Sequence, residues 1–205
     1  MDYKTLPIPE FNSLLSSKTA TPGGGGASAL VGALGASLVQ MVGNLTVGKA
    51  KYAAFEPEII EIMSEAKTLG EELLRLIDED AAAFEPLANA YSIPKDRPER
   101  AEIMEKCLMG AAAVPMEILR KVCRVIELHE VLCEKGSILA VSDVGTGVVF
   151  AWAAMYGAAM NVRVNTHLMT NLEEKDRINA EVDELMQKYW PIAEKTYEKV
   201  WEKLG

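Results

Sequence analysis

An acidic residue at an apolar position is the first place in this chain where chemistry could occur. From Ile62 to Tyr91, apolar side chains recur three or four residues apart: Ile62, Ala66, Leu69, Leu73, Ile77, Phe84, Leu87 and Tyr91. Asp80 fills the one step of that stripe that is not apolar. A carboxylate on the inner face of a helix is stripped of water, which favours its neutral form. Its pKa moves toward the range where one group can both take and give a proton. Such a residue suits general acid–base work, although pairing with a buried Lys or Arg would make it purely structural. Asp78 lies about 200° away around the same helix, so the two acids face different surroundings and do not form a dyad.

Other residues could bind what Asp80 acts on. Thr21-Pro22 is followed by four glycines, Gly23, Gly24, Gly25 and Gly26. Each costs roughly 1 kcal/mol relative to alanine in regular structure, so the run must serve the backbone. The pattern predicts a glycine loop feeding a helix that begins near Ala27. Its N-terminal N–H groups would form a cradle for an anion or a planar ligand, the alternative being a flexible linker. Asn161 and Asn165 stand at i, i+4 among small and apolar residues. Paired amides can read the donor–acceptor edge of a heterocycle or bond between helices. Ser142-Asp143 reads as a helix cap followed by a first-turn acid. Lys49, Lys51 and Arg163 are candidates to hold an anionic group or to be solvated. Gly43 to Lys49 fits seven positions of a phosphate-binding loop, but Ala50 stands where Ser or Thr should hold Mg²⁺. His129 and His167 are far apart and lack metal-ligand spacing, so no metal site is expected.

The elements that must position these residues are all helical. The patterns predict helices over 8–17, 27–48, 57–91, 99–134, 142–168 and 173–204. Pro57 suits a first turn, Pro115 a kink, Gly136 a stop and Ser142 an N-cap. No stretch of useful length alternates as a strand would. The prediction is an all-α, single-domain helical bundle over residues 1–205. Thr19–Gly48 and Val144–Val162 carry no charged side chain and are long enough to span a bilayer. They are rich in Gly, Ala and Ser and include Gln40, Asn44 and Asn161, so they read as central buried helices rather than as membrane spans. One chain of 205 residues can hardly cover two such helices, so a homodimer is expected to complete their burial.

A net charge of −9 offers no basic stripe for nucleic acid. The three cysteines, Cys107, Cys123 and Cys133, read as reduced thiols in a cytoplasmic protein.

Taken in order, these motifs resemble the cyclodeaminase/cyclohydrolase family of folate one-carbon enzymes. The matching pieces are Pro22 to Gly26, Gly32-Ala33-Leu34-Gly35-Ala36, Met41-Val42, Leu45-Thr46-x-Gly48-Lys49 and Asp78-x-Asp80-x-x-Ala83-Phe84. Val114-Pro115, Ser142-Asp143 and Gly157-Ala158-x-x-Asn161-Val162-x-x-Asn165 follow. The resemblance implies a homodimeric helical fold and a tetrahydrofolate substrate, polyglutamylated or not, with no cofactor beyond it. No residues remain for the transferase domain that accompanies some members. Asp80 would be the general acid/base. The four glycines and Lys49 would hold the folate or its glutamate carboxylates, and Asp143, Asn161 and Asn165 would orient the pterin or the reacting nitrogens. The expected reaction is cyclodeamination of 5-formiminotetrahydrofolate to 5,10-methenyltetrahydrofolate and ammonia. The alternative is hydrolysis of the methenyl compound at the same site. A reading of another class is a catalytically silent helical dimer that binds folate or a partner protein, and a membrane protein comes third.

Overall fold

The computed structural model describes residues 2–205, with Met1 outside the described residues. Every regular element among them is helical. The helices are α1 (Ile8–Leu15), α2 (Gly24–Asn44), α3 (Glu56–Ala90), α4 (Arg100–Lys135), α5 (Val141–His167) and α6 (Leu172–Leu204). Short 3₁₀ turns at Tyr3–Thr5, Ala50–Phe55 and Ile138–Ala140 lead into longer elements or join them. The order and number of helices agree with the periodicity, because each long helix carries an apolar stripe or is apolar throughout.

Three local details differ from the sequence reading. Helix α2 starts at Gly24, so Gly24, Gly25 and Gly26 form its first turn rather than a loop, and Gly23 is the extended N-cap. It stops at Asn44, short of Gly48. Ser142 is not a cap: the 3₁₀ turn at Ile138–Ala140 runs on into α5, which opens at Val141 with Ala140 at the cap position. Helix α4 continues through Pro115 to Lys135 and ends at Gly136.

Helix α2 packs on α3 and α5, α4 packs on α3 and α5, and α6 lies across α4 and α5. The core between them is built from Val39, Ile59, Leu73, Ile77, Leu119, Ile126, Val148 and Met155, all almost fully buried. Charged pairs lace the outer edges, as where Glu65 of α3 grips Arg124 of α4 through two hydrogen bonds of 2.6 and 2.8 Å. By length and composition alone, α2 and the segment Ile138–His167 could cross a membrane. In the bundle 56% and 50% of their apolar windows are buried. Burial on nearly all sides is therefore not achieved within one chain. Leu34 and Met41 on α2, and Val149, Tyr156, Met160 and Val164 on α5, remain exposed.

The helices of the α2–α5 pair run antiparallel and nearly touch. A Cβ on Gly35 would sit 3.2 Å from the Gly147 carbonyl oxygen. His129 of α4 is wedged at this crossing, fully buried, its Nε2 3.0 Å from the Gly35 carbonyl. A carbonyl can only accept, so Nε2 carries the proton, and Nδ1 has no partner among the described residues. On the α5 side, a Cβ at Gly147 would fall 2.1 Å from the imidazole. The histidine is thus a neutral packing element. Burial pushes its pKa down to about 4, against the opposing pull of the Gly35 carbonyl.

That depression sets a pH dependence of stability. The unfolded chain takes up a proton near pH 6.5, whereas the folded chain refuses it until about pH 4. Stability is therefore full above about pH 6.5 and falls as pH drops toward 4, by about 3 kcal/mol in total. Urea unfolding at about pH 7 and about pH 4.5 should show most of this loss. His129→Gln, less stable at the higher pH, should lose less over the same interval.

Candidate active site

The N-terminal turn of α2 faces the C-terminal third of α3, and that encounter forms the candidate site. The Asp80 side chain, largely buried, lies directly against the glycines. A Cβ on Gly25 would come within 2.2 Å of its Oδ1, a separation that nonbonded atoms do not adopt. The Gly26 N–H donates to Asp80 Oδ2 at 3.0 Å. Two forces act on the carboxyl. Burial, the larger, raises its pKa, and the Gly26 hydrogen bond lowers it. The net shift is upward, because no cation pairs with it among the described residues. Within the single chain, then, Asp80 does not form the structural pair with Lys or Arg that was its alternative reading.

Asp78 occupies the different environment expected of it. Its Oδ1 accepts from the Tyr3 N–H at 2.6 Å and its Oδ2 from Lys4 Nζ at 2.9 Å. It ties the N-terminal segment to α3, and those donors hold its pKa down although burial opposes them.

A cavity of about 200 Å³ opens in front of Asp80. Gly23, Gly24 and Gly25 form one wall, Asp80 and Phe84 a second, Ala111 and Pro115 a third, and Asn161, Val164 and Asn165 the fourth. Both asparagines have their amide nitrogens tied back to backbone. Asn161 Nδ2 donates to the Gly157 carbonyl at 2.8 Å, and Asn165 Nδ2 to the carbonyls of Ala111 and Asn161 at 3.1 and 2.8 Å. Their oxygens have no partner among the described residues, so the pair presents acceptors. Gly24 passes so close that a Cβ there would lie 3.0 Å from Asn161 Nδ2.

Gly23, Gly24, Gly25, Asp80, Asn161 and Asn165 are thus gathered in one place, and Gly26 joins them through its N–H. Lys49 and Asp143 are not. Lys49 follows the far end of α2, about 30 Å from Gly24 at 1.5 Å per residue, where its Nζ donates to Ser137 Oγ at 3.2 Å. Asp143 sits in the first turn of α5, about 27 Å from Asn161 by the same rise. Their assignment to a folate site alongside Asp80 within one chain is therefore corrected. Both lie at the opposite end of the antiparallel α2–α5 pair. Lys51 sits 5.4 Å over the Tyr52 ring, and Arg163 pairs with Asp183, so neither enters the cavity. Phe84, Ala111, Pro115 and Val164 also line the cavity and are not among the expected site residues. Phe84 and Pro115 were visible as motif positions, whereas Ala111 and Val164 carry no local signal.

The family model described as formiminotransferase-cyclodeaminase matches residues 7–184. The chain belongs to this family.

Within the family the chain is 37% identical over 203 residues to a methenyltetrahydrofolate cyclohydrolase of Methylorubrum extorquens, covering 97% of each sequence. It is 29% identical over 177 residues to the formimidoyltransferase-cyclodeaminase of Mus musculus, of which it spans 33%. Its fold superposes on the crystal structure of a formiminotetrahydrofolate cyclodeaminase from Thermotoga maritima with a TM-score of 0.87. That match, at 26% identity, covers 98% of this chain and 96% of the other.

The glycines can be separated by what a methyl group would meet. Gly25→Ala must displace Asp80, whereas a Cβ on Gly26 meets Ile77 Cγ2 at an ordinary 3.5 Å and leaves the N–H in place. Gly26→Ala should retain ligand binding and gain up to about 1 kcal/mol in stability. Gly25→Ala should lose binding. Parallel thermal melts and equilibrium titration with a reduced folate would measure both effects.

Proposed function

We propose that the chain is a folate one-carbon enzyme in which Asp80 moves protons at the carbon between N5 and N10 of tetrahydrofolate. The observation that carries this reading is the uncompensated Asp80 carboxyl, seated on the first turn of α2 and facing two fixed amide acceptors. Between the family's two reactions, the full-length identity to a cyclohydrolase of matching size favours hydrolysis of 5,10-methenyltetrahydrofolate. The cyclodeamination expected from the sequence stands as the second reading, supported by the likeness to the Thermotoga maritima structure.

In the hydrolysis, water adds to the electron-poor methenyl carbon while ionised Asp80 takes its proton. The tetrahedral carbon then collapses. The bond to N5 breaks, Asp80 returns a proton to that nitrogen, and the released hydroxyl proton leaves a formyl group on N10. In the second reading N10 attacks the formimino carbon and the same acid protonates departing ammonia. No oxidation state changes in either reaction. The raised Asp80 pKa brings the group nearer the working pH in both directions of transfer. The asparagine oxygens would accept from the pterin N–H edge and hold the reacting carbon over Asp80.

Purified protein offered each substrate separately, with the methenyl chromophore followed, tests the assignment. Wild type should accelerate loss of the methenyl compound, and Asp80→Asn should reduce kcat about 10²–10⁴-fold. Hydrolysis should fail on the acid side, with an inflection above the ordinary aspartate value because the base must be ionised. Chromophore formed from the formimino compound with ammonia release would select the second reading. A wild type inert on both substrates would defeat the proposal.

The same reading includes a homodimer. The apolar stripe along α2 and α5 needs a cover, and Val164 belongs both to that stripe and to the cavity wall. A second copy laid across the stripe with its twofold axis perpendicular to the helices buries both stripes. That arrangement would also bring Lys49 of the partner subunit and the partner's Asp143 toward the rim of a cavity lined by no Lys or Arg among the described residues. Sedimentation should give a dimer. Met160→Asp, at a position 66% exposed in the single chain, should give a folded monomer with lost activity.

A further inference from the structure

Pro115 stands in the interior of a 36-residue helix, where proline is the least favourable residue. Lacking an N–H, it leaves the carbonyl one turn earlier, that of Ala111, without a helical donor. The donor that reaches this carbonyl comes from another helix. Asn165 Nδ2 of α5 bonds it at 3.1 Å while also bonding the Asn161 carbonyl at 2.8 Å. Two acceptors on one side of the amide fix its orientation, with the nitrogen inward and the oxygen toward the cavity that Pro115 and Asn165 both line.

We infer that Pro115 is a positioning residue for the cavity: by withholding an N–H it reserves the Ala111 carbonyl as the anchor that holds Asn165 as an acceptor. An ordinary residue at 115 would draw that carbonyl back into the α4 ladder, and Asn165 would keep only the anchor within its own helix. The amide could then turn and present its nitrogen, inverting the polarity offered to a ligand. The cavity would lose its preference for an N–H edge. The identity of that ligand as a reduced pterin rests on the proposed function, but the mechanical link between Pro115 and Asn165 does not.

The full chain is compared as wild type, Pro115→Ala, Asn165→Ala and the double variant, with Pro191→Ala in α6 as a control for removing a helix proline elsewhere. Three quantities are measured: melting temperature, equilibrium binding of 5-formyltetrahydrofolate, and hydrogen exchange of the Asn165 side-chain amide by NMR in the absence of ligand. Pro115→Ala should not lower the melting temperature, should weaken binding about three- to tenfold, the size of one neutral hydrogen bond, and should speed Asn165 amide exchange. In the Asn165→Ala background the same substitution should add nothing, because Pro115 acts through that amide. Pro191→Ala should leave affinity unchanged. Equal weakening by Pro115→Ala in both backgrounds would mean that the ring itself touches the ligand and would overturn the inference. Unchanged Asn165 exchange would overturn it too. A wild type that does not bind the probe would count against the folate reading, and amide exchange would then decide the role of Pro115 alone.

Discussion

The absence of side chains on the first turn of α2 is the constraint on which the rest of the structure depends. Asp80 occupies the space that a Cβ on Gly25 would fill, and Asn161 packs tightly on Gly24, 3.0 Å from where its Cβ would stand. Three helices therefore meet at one point with backbone, carboxyl and amide in direct contact. That meeting requires α3 to be long enough to carry an acid past the end of α2, and α5 to lie antiparallel to α2. The small residues along both helices meet the second requirement, since Gly35 and Gly147 let the two backbones approach almost to contact.

The electrostatics of the site follow from that crowding. A helix N-terminus favours an anion, and the Gly26 N–H favours the ionised carboxylate. Burial favours the neutral acid and is the stronger influence. With no lysine or arginine beside it among the described residues, burial prevails and the carboxyl's pKa lies above the ordinary aspartate value. Asp78, two residues earlier, shows what the same side chain does when cations and N–H groups surround it: its pKa falls and it serves as a tether. The same principle governs His129, whose imidazole is kept neutral at a helix crossing where a charge would have no partner.

Prolines and glycines here act less as breakers of helices than as places where a helix gives up an atom. Gly24 and Gly25 give up side chains so that α5 and α3 can approach. Pro115 gives up an N–H, and the carbonyl it releases is bonded by Asn165 across the α4–α5 contact. Both devices sit on the wall of the same cavity.

Much of this was legible in the sequence, because periodicity is a local property. Six helices, their order and nearly all their ends follow from spacing, turn residues and caps. Asp80 stood out because an acid interrupts an apolar stripe. The sequence also led to the expectation that one chain could hardly cover two uncharged helices completely, and the stripe left exposed on α2 and α5 agrees with that. Local rules failed where the tertiary contact outweighed them. Polyglycine reads as a loop because its helix propensity is poor, yet packing against Asp80 and Asn161 makes it the first turn of α2. Ser142 reads as a cap, but a 3₁₀ turn upstream carries the chain into α5 before it. Lys49 and Asp143 lie on or beside the same two helices as the site residues, and only the antiparallel run of α2 against α5 shows that they lie at the far end. Sequence spacing fixes which face of a helix a residue takes. Which end of the bundle it reaches depends on the direction in which helices pack, and no local pattern carries that information.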